Sequence, residues 1–323
     1  MVFSTPALDT PEKTSERRHA VRVHSVPKRP SQGRRQRSVP ERAETGFIQT
    51  LKKNPLAFAS LVVIGLIIMM AIFAPLLSPY DKDQIDLTKQ YLPPSLDHPF
   101  GTDDLGRDVF VRVMHGGRVS LSVGFLAMLV ALVVGLVAGG VAGYYGGVLD
   151  ALVMRFVDLM LAIPVFFVIL FISSIMAPSM TVVAVVVMIG FTQWMEVARL
   201  VRSVVIGTKE NEFVDAARIM GASDRRIIIR HLLPHTTSPV LVAITLGLAQ
   251  AIIIESALSF LGFGVQPPTP SWGAMLQNAQ TYLETSPWIA IFPGLMIFAT
   301  VICCNVLADF LGDAFSPMSS QRR

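Results

Sequence analysis

Along the chain, long apolar runs alternate with short charged segments. A bilayer-crossing helix requires about 20 mostly apolar residues, because the hydrocarbon core is about 30 Å thick and a helix rises about 1.5 Å per residue. Six runs meet that requirement and predict spans at about 56–77, 119–143, 151–176, 180–199, 238–262 and 288–311. A Gly-rich turn around Tyr144–Gly147 joins the second and third, and Ala177-Pro178-Ser179 breaks the hairpin between the third and fourth. The second run carries Gly135, Ala138, Gly139, Gly140, Ala142 and Gly143. Small residues of this kind let helices approach closely in lipid. The expected fold class is all-α: a polytopic helical membrane protein with six transmembrane helices.

Composition agrees with the pattern. Hydrophobic residues make up 52% of the chain and charged residues only 15%, against about 25% charged in soluble domains. Residues 1–45 hold ten Lys/Arg among many Pro, Ser and Gln. Such a segment cannot bury enough apolar surface to offset its ordering. Residues 1–50 are therefore expected to form a disordered basic tail, held near anionic lipid rather than binding nucleic acid. They do not read as a signal peptide. Residues 51–317 would form the membrane domain and 318–323 a second tail. The two cysteines, Cys303 and Cys304, are adjacent in an apolar stretch, which excludes a disulfide framework and reads as two small reduced apolar residues.

Charge asymmetry orients the spans, because Lys/Arg-rich loops stay cytoplasmic. With the N-terminus inside, 22 Lys/Arg fall on the inner segments and five on the outer ones. Both termini are thus expected in the cytoplasm, with Trp272 and Trp288 near the outer interface.

The inner segment at about 200–237 is the most informative. On a helix, Phe213, Ala216, Ala217 and Met220 would share an apolar face, with Glu212, Asp215 and Arg218 elsewhere. Gly221 can take a positive φ and end that helix. Ser223 is a good N-cap for a second helix that would end at Leu233-Pro234. A small apolar face outside the bilayer either packs on this chain's own helix ends or docks in a partner's groove.

Ionisable residues inside spans are costly and often functional. Asp158, Glu196, Glu255 and Asp309 lie in the predicted spans. Glu196 and Asp309 sit near interfaces, where water or Arg199 suffices. Asp158 and Glu255 are candidates either to line a translocation path or to make buried structural hydrogen bonds. Residues 104–118, if helical, carry a narrow stripe of Leu105, Val109 and Val113 that either packs against the bundle or lies on the outer surface as part of a landing site for a binding protein. His98, His115, His231 and His235 are not spaced as a metal site, and none is expected. The chain contains no Gly-x-x-x-x-Gly-Lys-Ser/Thr loop, no Gly-x-Ser-x-Gly around Ser120 or Ser122, and no His-Glu-x-x-His. It is therefore read as non-catalytic. A secondary transporter would show discontinuous helices in corresponding halves; no repeat is visible, and that reading leaves the inner loop unexplained.

Asp215-Ala216-Ala217, three residues, Gly221, nine residues and then His231-Leu232-Leu233-Pro234 resembles the cytoplasmic signature loop of ABC importer permeases. Phe100–Asp108, Ala142–Gly147 with Asp150 and Asp158, Glu255–Gly264 and Pro267–Gly273 resemble further segments of the dipeptide/oligopeptide/nickel branch. Asp215 stands where that family usually has Glu. The resemblance covers about residues 50–317 and is to the C-type, second permease subunit. It implies a type I importer permease that pairs with a homologous permease, two ABC ATPase subunits and an extracytoplasmic binding protein in a prokaryotic inner membrane. ATP and Mg would be bound by the partners, with no cofactor in this chain. Phe213, Asp215, Ala216, Ala217, Met220 and Gly221 would form the coupling contact. The implied cargo is a peptide, with nickel, haem or glutathione as the alternative.

Overall fold

The computed structural model describes residues 47–176 and 180–315. Most of the predicted tails and the Ala177-Pro178-Ser179 break lie outside the described residues. Residues 47–50, read from sequence as tail, belong to a helix, α1 (Phe47–Lys53). Asn54 then caps α2 (Pro55–Ile72), its side chain accepting a hydrogen bond from the Ala57 N–H at 3.2 Å. Pro55 opens that helix, where a missing N–H costs nothing. Pro75 likewise opens the short α3 (Ala74–Leu77).

The second span differs from its prediction. α4 runs unbroken over Val109–Tyr145, so the stripe at 109–118 continues the span, with Val109 and Val113 packed against the bundle and not lying flat on the outer surface. Asp108 caps it through the Val111 N–H at 2.9 Å, and Gly146, at φ +67°, ends it. The third span is not one straight helix. α5 (Gly147–Leu161) and α6 (Val165–Met176) meet at a bend of 80°. Pro164 sits in the break, where it lacks the N–H a continuous helix needs.

The fourth span, α7 (Val182–Lys209), extends ten residues past its predicted end. The inner loop shortens accordingly to α8 (Glu212–Ile219), α9 (Asp224–Ile227) and a π turn over Ile228–Leu232. α10 (Leu233–Phe260) follows directly. Pro234 therefore lies in the first turn of α10 and does not end a helix before it. The chain closes with α11 (Trp272–Ala279) and α12 (Trp288–Phe315). Among the described residues, five helices are long and apolar enough to cross a membrane, or six if α5 and α6 form one bent span.

Packing pivots on α4. A Cβ added at Gly135 would meet Val197 at 2.6 Å, one at Gly139 would strike the Ala198 carbonyl, and one at Gly143 would meet Val205 at 2.9 Å. The rising numbers on both helices show α4 and α7 running parallel, with a glycine at every fourth position clearing a groove for α7. α10 runs antiparallel beside them, with Ile252 against Gly124 and Leu233 near Gly140. Leu51 and Ala57 pack with Phe310, and Ile289 packs with Trp272 and Ile252 of α10, so the first described helices start and the last one finishes at the end of the bundle where α10 begins, beside α8.

The opposite end is tied by polar contacts. Trp272 is buried, its indole N–H donating to the Val113 carbonyl at 3.0 Å, and so is not an interfacial ring. The Trp288 indole donates to the Thr102 carbonyl at 3.2 Å. Arg112 is buried between Asp103 at 3.6 Å and Asp83 at 3.8 Å.

Candidate functional site

α8 is two turns long. Glu212 and Asp215 occupy its first turn and Arg218 its last, the arrangement the helix dipole favours. Val214 and Ala217, three residues apart, are buried and pack in the cluster that includes Val201 and Val205 of α7, Ile227 and Leu232. Phe213, Ala216, Ile219 and Met220 are exposed, Ile219 at 87% and Met220 at 81%. The face predicted from sequence is thus divided. Ala217 does not stand with Phe213, Ala216 and Met220 on a free surface. It anchors α8 to the bundle, because Val214 draws the buried side of the helix towards itself. Asp215 is exposed and paired with Arg218 at 3.2 Å.

Gly221 ends α8 as the sequence predicts, at φ +79°. The Gly221 N–H donates to the Arg218 carbonyl at 2.9 Å and the Ala222 N–H to the Ala217 carbonyl at 3.0 Å. This double closure satisfies carbonyls the helix end would otherwise leave free. Ser223 makes no side-chain cap bond. Two side-chain ties hold α8 to its surroundings, and a third holds the adjoining α9. The Phe213 ring stacks on His235 of α10 at 5.4 Å. The Tyr144 hydroxyl donates to Asp224 at 2.6 Å. The Arg218 guanidinium lies over the Tyr144 ring at 5.7 Å. Contact with the Tyr144 hydroxyl, helped by Asp215, holds Arg218 above its ordinary pKa. A short helix held by these two ties and by buried Val214 and Ala217 moves with the bundle rather than independently of it.

The span carboxylates fall into two environments. Glu255 is fully buried. Ser120 of α4 donates to it at 2.9 Å, Ser259 at 2.8 Å and Ser256 at 3.5 Å. Ser120 Oγ also accepts from the Trp272 N–H at 3.2 Å, and Ser259 Oγ from the Val265 N–H at 3.1 Å. Glu255 therefore joins α4, α10 and α11 through a closed cluster and lines no open path. Asp158 is exposed, bonded to Arg199 of α7 at 2.8 Å. Asp150, one turn into α5, accepts from Arg202 Nε and Nη2, one on each carboxylate oxygen. Glu196 and Asp309 are exposed. The histidines are apart: His98 bonds Asp108 at 2.8 Å, and His115 the Val111 carbonyl at 3.0 Å. Among the described residues no group of three or more His, Cys, Asp or Glu could hold a metal ion.

Sequence reasoning missed Val214 and Ile219 and the serine shell of Glu255. The spacing of Glu255 and Ser259, one turn apart, was a usable signal; Ser120 and Trp272 are brought there only by packing.

Residues 131–320 match the family described as binding-protein-dependent transport system inner membrane component. The chain belongs to this family. Residues 46–94 of this permease also match the N-terminal TM domain of oligopeptide transport permease C. It is 42% identical over 267 residues to the dipeptide transport system permease protein DppC of Alkalihalophilus pseudofirmus, covering 83% of this chain and 87% of that one. It is 43% identical to the oligopeptide transport system permease protein OppC of Escherichia coli K12, covering 82% and 87%. It is 41% identical to the glutathione transport system permease protein GsiD of Shigella flexneri, covering 84% and 89%. The structure of the inward-facing MetNI methionine ABC transporter superposes with a TM-score of 0.51 at 17% identity, over 63% of this permease and 96% of that chain. That likeness shows the ABC importer permease fold. The protein is a multi-pass membrane permease.

Proposed function

We propose that this permease forms half of the translocation path of an ATP-driven peptide importer and meets one ATPase subunit through α8. The observation that carries the coupling is the exposed Ile219–Met220 tip beside Phe213 and Ala216. This apolar surface lies outside the span helices, on a helix clamped to α4, α7 and α10. Apolar surface presented on a rigid helix suits a partner's groove. Force applied there passes to three spans, because Val214 and Ala217 are packed into them. A homologous permease would complete the path, two ATPases would supply hydrolysis with ATP and Mg bound in those subunits, and an extracytoplasmic binding protein would deliver cargo. The end of the bundle that carries α8 would face the cytoplasm, and with it both termini, by the 22-to-five distribution of Lys/Arg along the sequence. Peptide as cargo follows from the relatives named for dipeptide and oligopeptide transport.

The test uses the complete transporter in proteoliposomes. Met220→Asp and Ile219→Asp change only exposed positions and should leave assembly intact. Peptide uptake and peptide-stimulated ATP hydrolysis should each fall about tenfold, equivalent to about 1.4 kcal/mol of lost coupling. Undiminished uptake by both variants would sink the docking assignment. Failure of the unaltered transporter to take up any di- or oligopeptide would sink the cargo.

A further inference from the structure

Glu196 and Arg199 of α7 and Asp158 of α5 are exposed, and Thr192 lies one turn before Glu196 on the same face. Arg155, also exposed, stands one turn before Asp158. Their depth follows from the parallel packing of α4 and α7. Val197 and Ala198 meet Gly135 and Gly139. α4 carries no charged side chain between Arg118 and its end at Tyr145. At 1.5 Å per residue, Gly139 and Gly135 lie about 8 and about 14 Å inside the level of Tyr144. Glu196 and Arg199 therefore stand within the depth of an uncharged membrane-crossing stretch. Charged side chains at such depth face water or a polar partner, not lipid tails.

Two further observations point to the same place. The side-chain N–H groups of Gln193 and Trp194 are buried on α7 and have no hydrogen-bond partner among the described residues. Trp194 packs against Phe156 of α5 at 6.3 Å, so its donor lies at the α5–α7 contact. The Asp158–Arg199 pair is about half-exposed on both sides. Exposed pairs are weakly held and exchange partners readily.

We infer that the α5–α7 face lines the water-filled path and takes the charged ends of the travelling peptide. Arg199 meets the terminal carboxylate; Asp158 and Glu196 meet the terminal ammonium. Every linear peptide carries these two groups whatever its side chains, so opposite charges on one wet face read the backbone ends and tolerate varied sequences. The Asp158–Arg199 pair closes when no peptide is present. This inference rests on the peptide-importer reading.

The test is thiol accessibility in membrane vesicles holding the complete transporter. Thr192→Cys and Glu196→Cys are made separately in a Cys303→Ser, Cys304→Ser background, with Val187→Cys, on an exposed apolar position of α7, as the lipid-facing control. A charged methanethiosulfonate reagent should label Thr192→Cys and Glu196→Cys at least about tenfold faster than the control, and dialanine should slow that labelling several-fold. Labelling no faster than the control in vesicles that import dialanine overturns the inference, as does labelling that dialanine leaves unchanged. Two variants are used because the neutral Thr192 substitution keeps the charge set intact should the Glu196 variant fail to assemble. Vesicles of the unaltered transporter that import no peptide would count against the cargo alone, and the labelling rates would still decide whether the face is wet.

Discussion

Gly221 has open space around it, with no heavy atom within 4 Å of an added Cβ, yet its φ of +79° strains any L side chain. Gly221→Val should lower the thermal midpoint by the equivalent of about 1–2 kcal/mol and tilt the end of α8. Gly221→Asn should do less, because Asn tolerates that conformation better. Calorimetry of the purified complex, beside its peptide-stimulated ATPase rate, checks both. Glu255 poses the opposite case, a side chain enclosed on every side. Glu255→Gln keeps an acceptor for the serine hydroxyls and should cost about 1 kcal/mol, whereas Glu255→Ala leaves a cavity and unpaired hydroxyls and should cost about 2–4 kcal/mol. A thermal series in detergent separates them; equal midpoints for the two variants would contradict the closed cluster.

Among the elements, the α4–α7 seam is the tightest, and its glycines differ from others in the chain. Gly139→Ala places a methyl against the Ala198 carbonyl, which is backbone and cannot turn aside. It should impair folding and membrane yield, and Gly139→Leu should abolish both. Gly207→Ala, on the same α7 but with nothing within 4 Å, should be neutral or stabilising by up to about 1 kcal/mol. α8 shows the same contrast across two faces. Val214→Asp and Ala217→Asp put a charge into packed surface and should reduce the amount of assembled transporter. Met220→Asp should leave that amount unchanged while reducing coupling, so immunoblots read beside uptake distinguish anchor from tip. The α5–α6 bend, by contrast, was signalled by Pro164, but periodicity alone reads 151–176 as one apolar run.

At the scale of the whole molecule, Ala57 packs with Phe310 while Ile289 packs with Trp272 and Ile252, so the first described helices start and α12 finishes at the end where α10 begins, the end that the Lys/Arg excess assigns to the cytoplasm. A fluorescent reporter that matures only in the cytoplasm should therefore shine when fused to either terminus, and alkaline phosphatase inserted in the 263–287 segment should be active. A dark fusion at both termini would reverse the orientation. The sequence by itself determined the number of apolar runs, the charge asymmetry, the Gly221 helix end and the signature loop, since hydropathy, charge and backbone freedom are properties of local residues. Only the tertiary structure decided the rest. It turned Ala217 inward and left Ile219 and Met220 outside. It enclosed Glu255 with Ser120 across 135 residues of chain. It set Asp158 beside Arg199 on an exposed face. Which side of a helix is buried, and which distant groups share one pocket, depends on how spans pack against each other. Apolar helices such as α2, α4, α10 and α12, of similar composition all round, carry almost no periodic signal for that choice, so polar span residues such as Glu255 acquire a role only once their neighbours are in place.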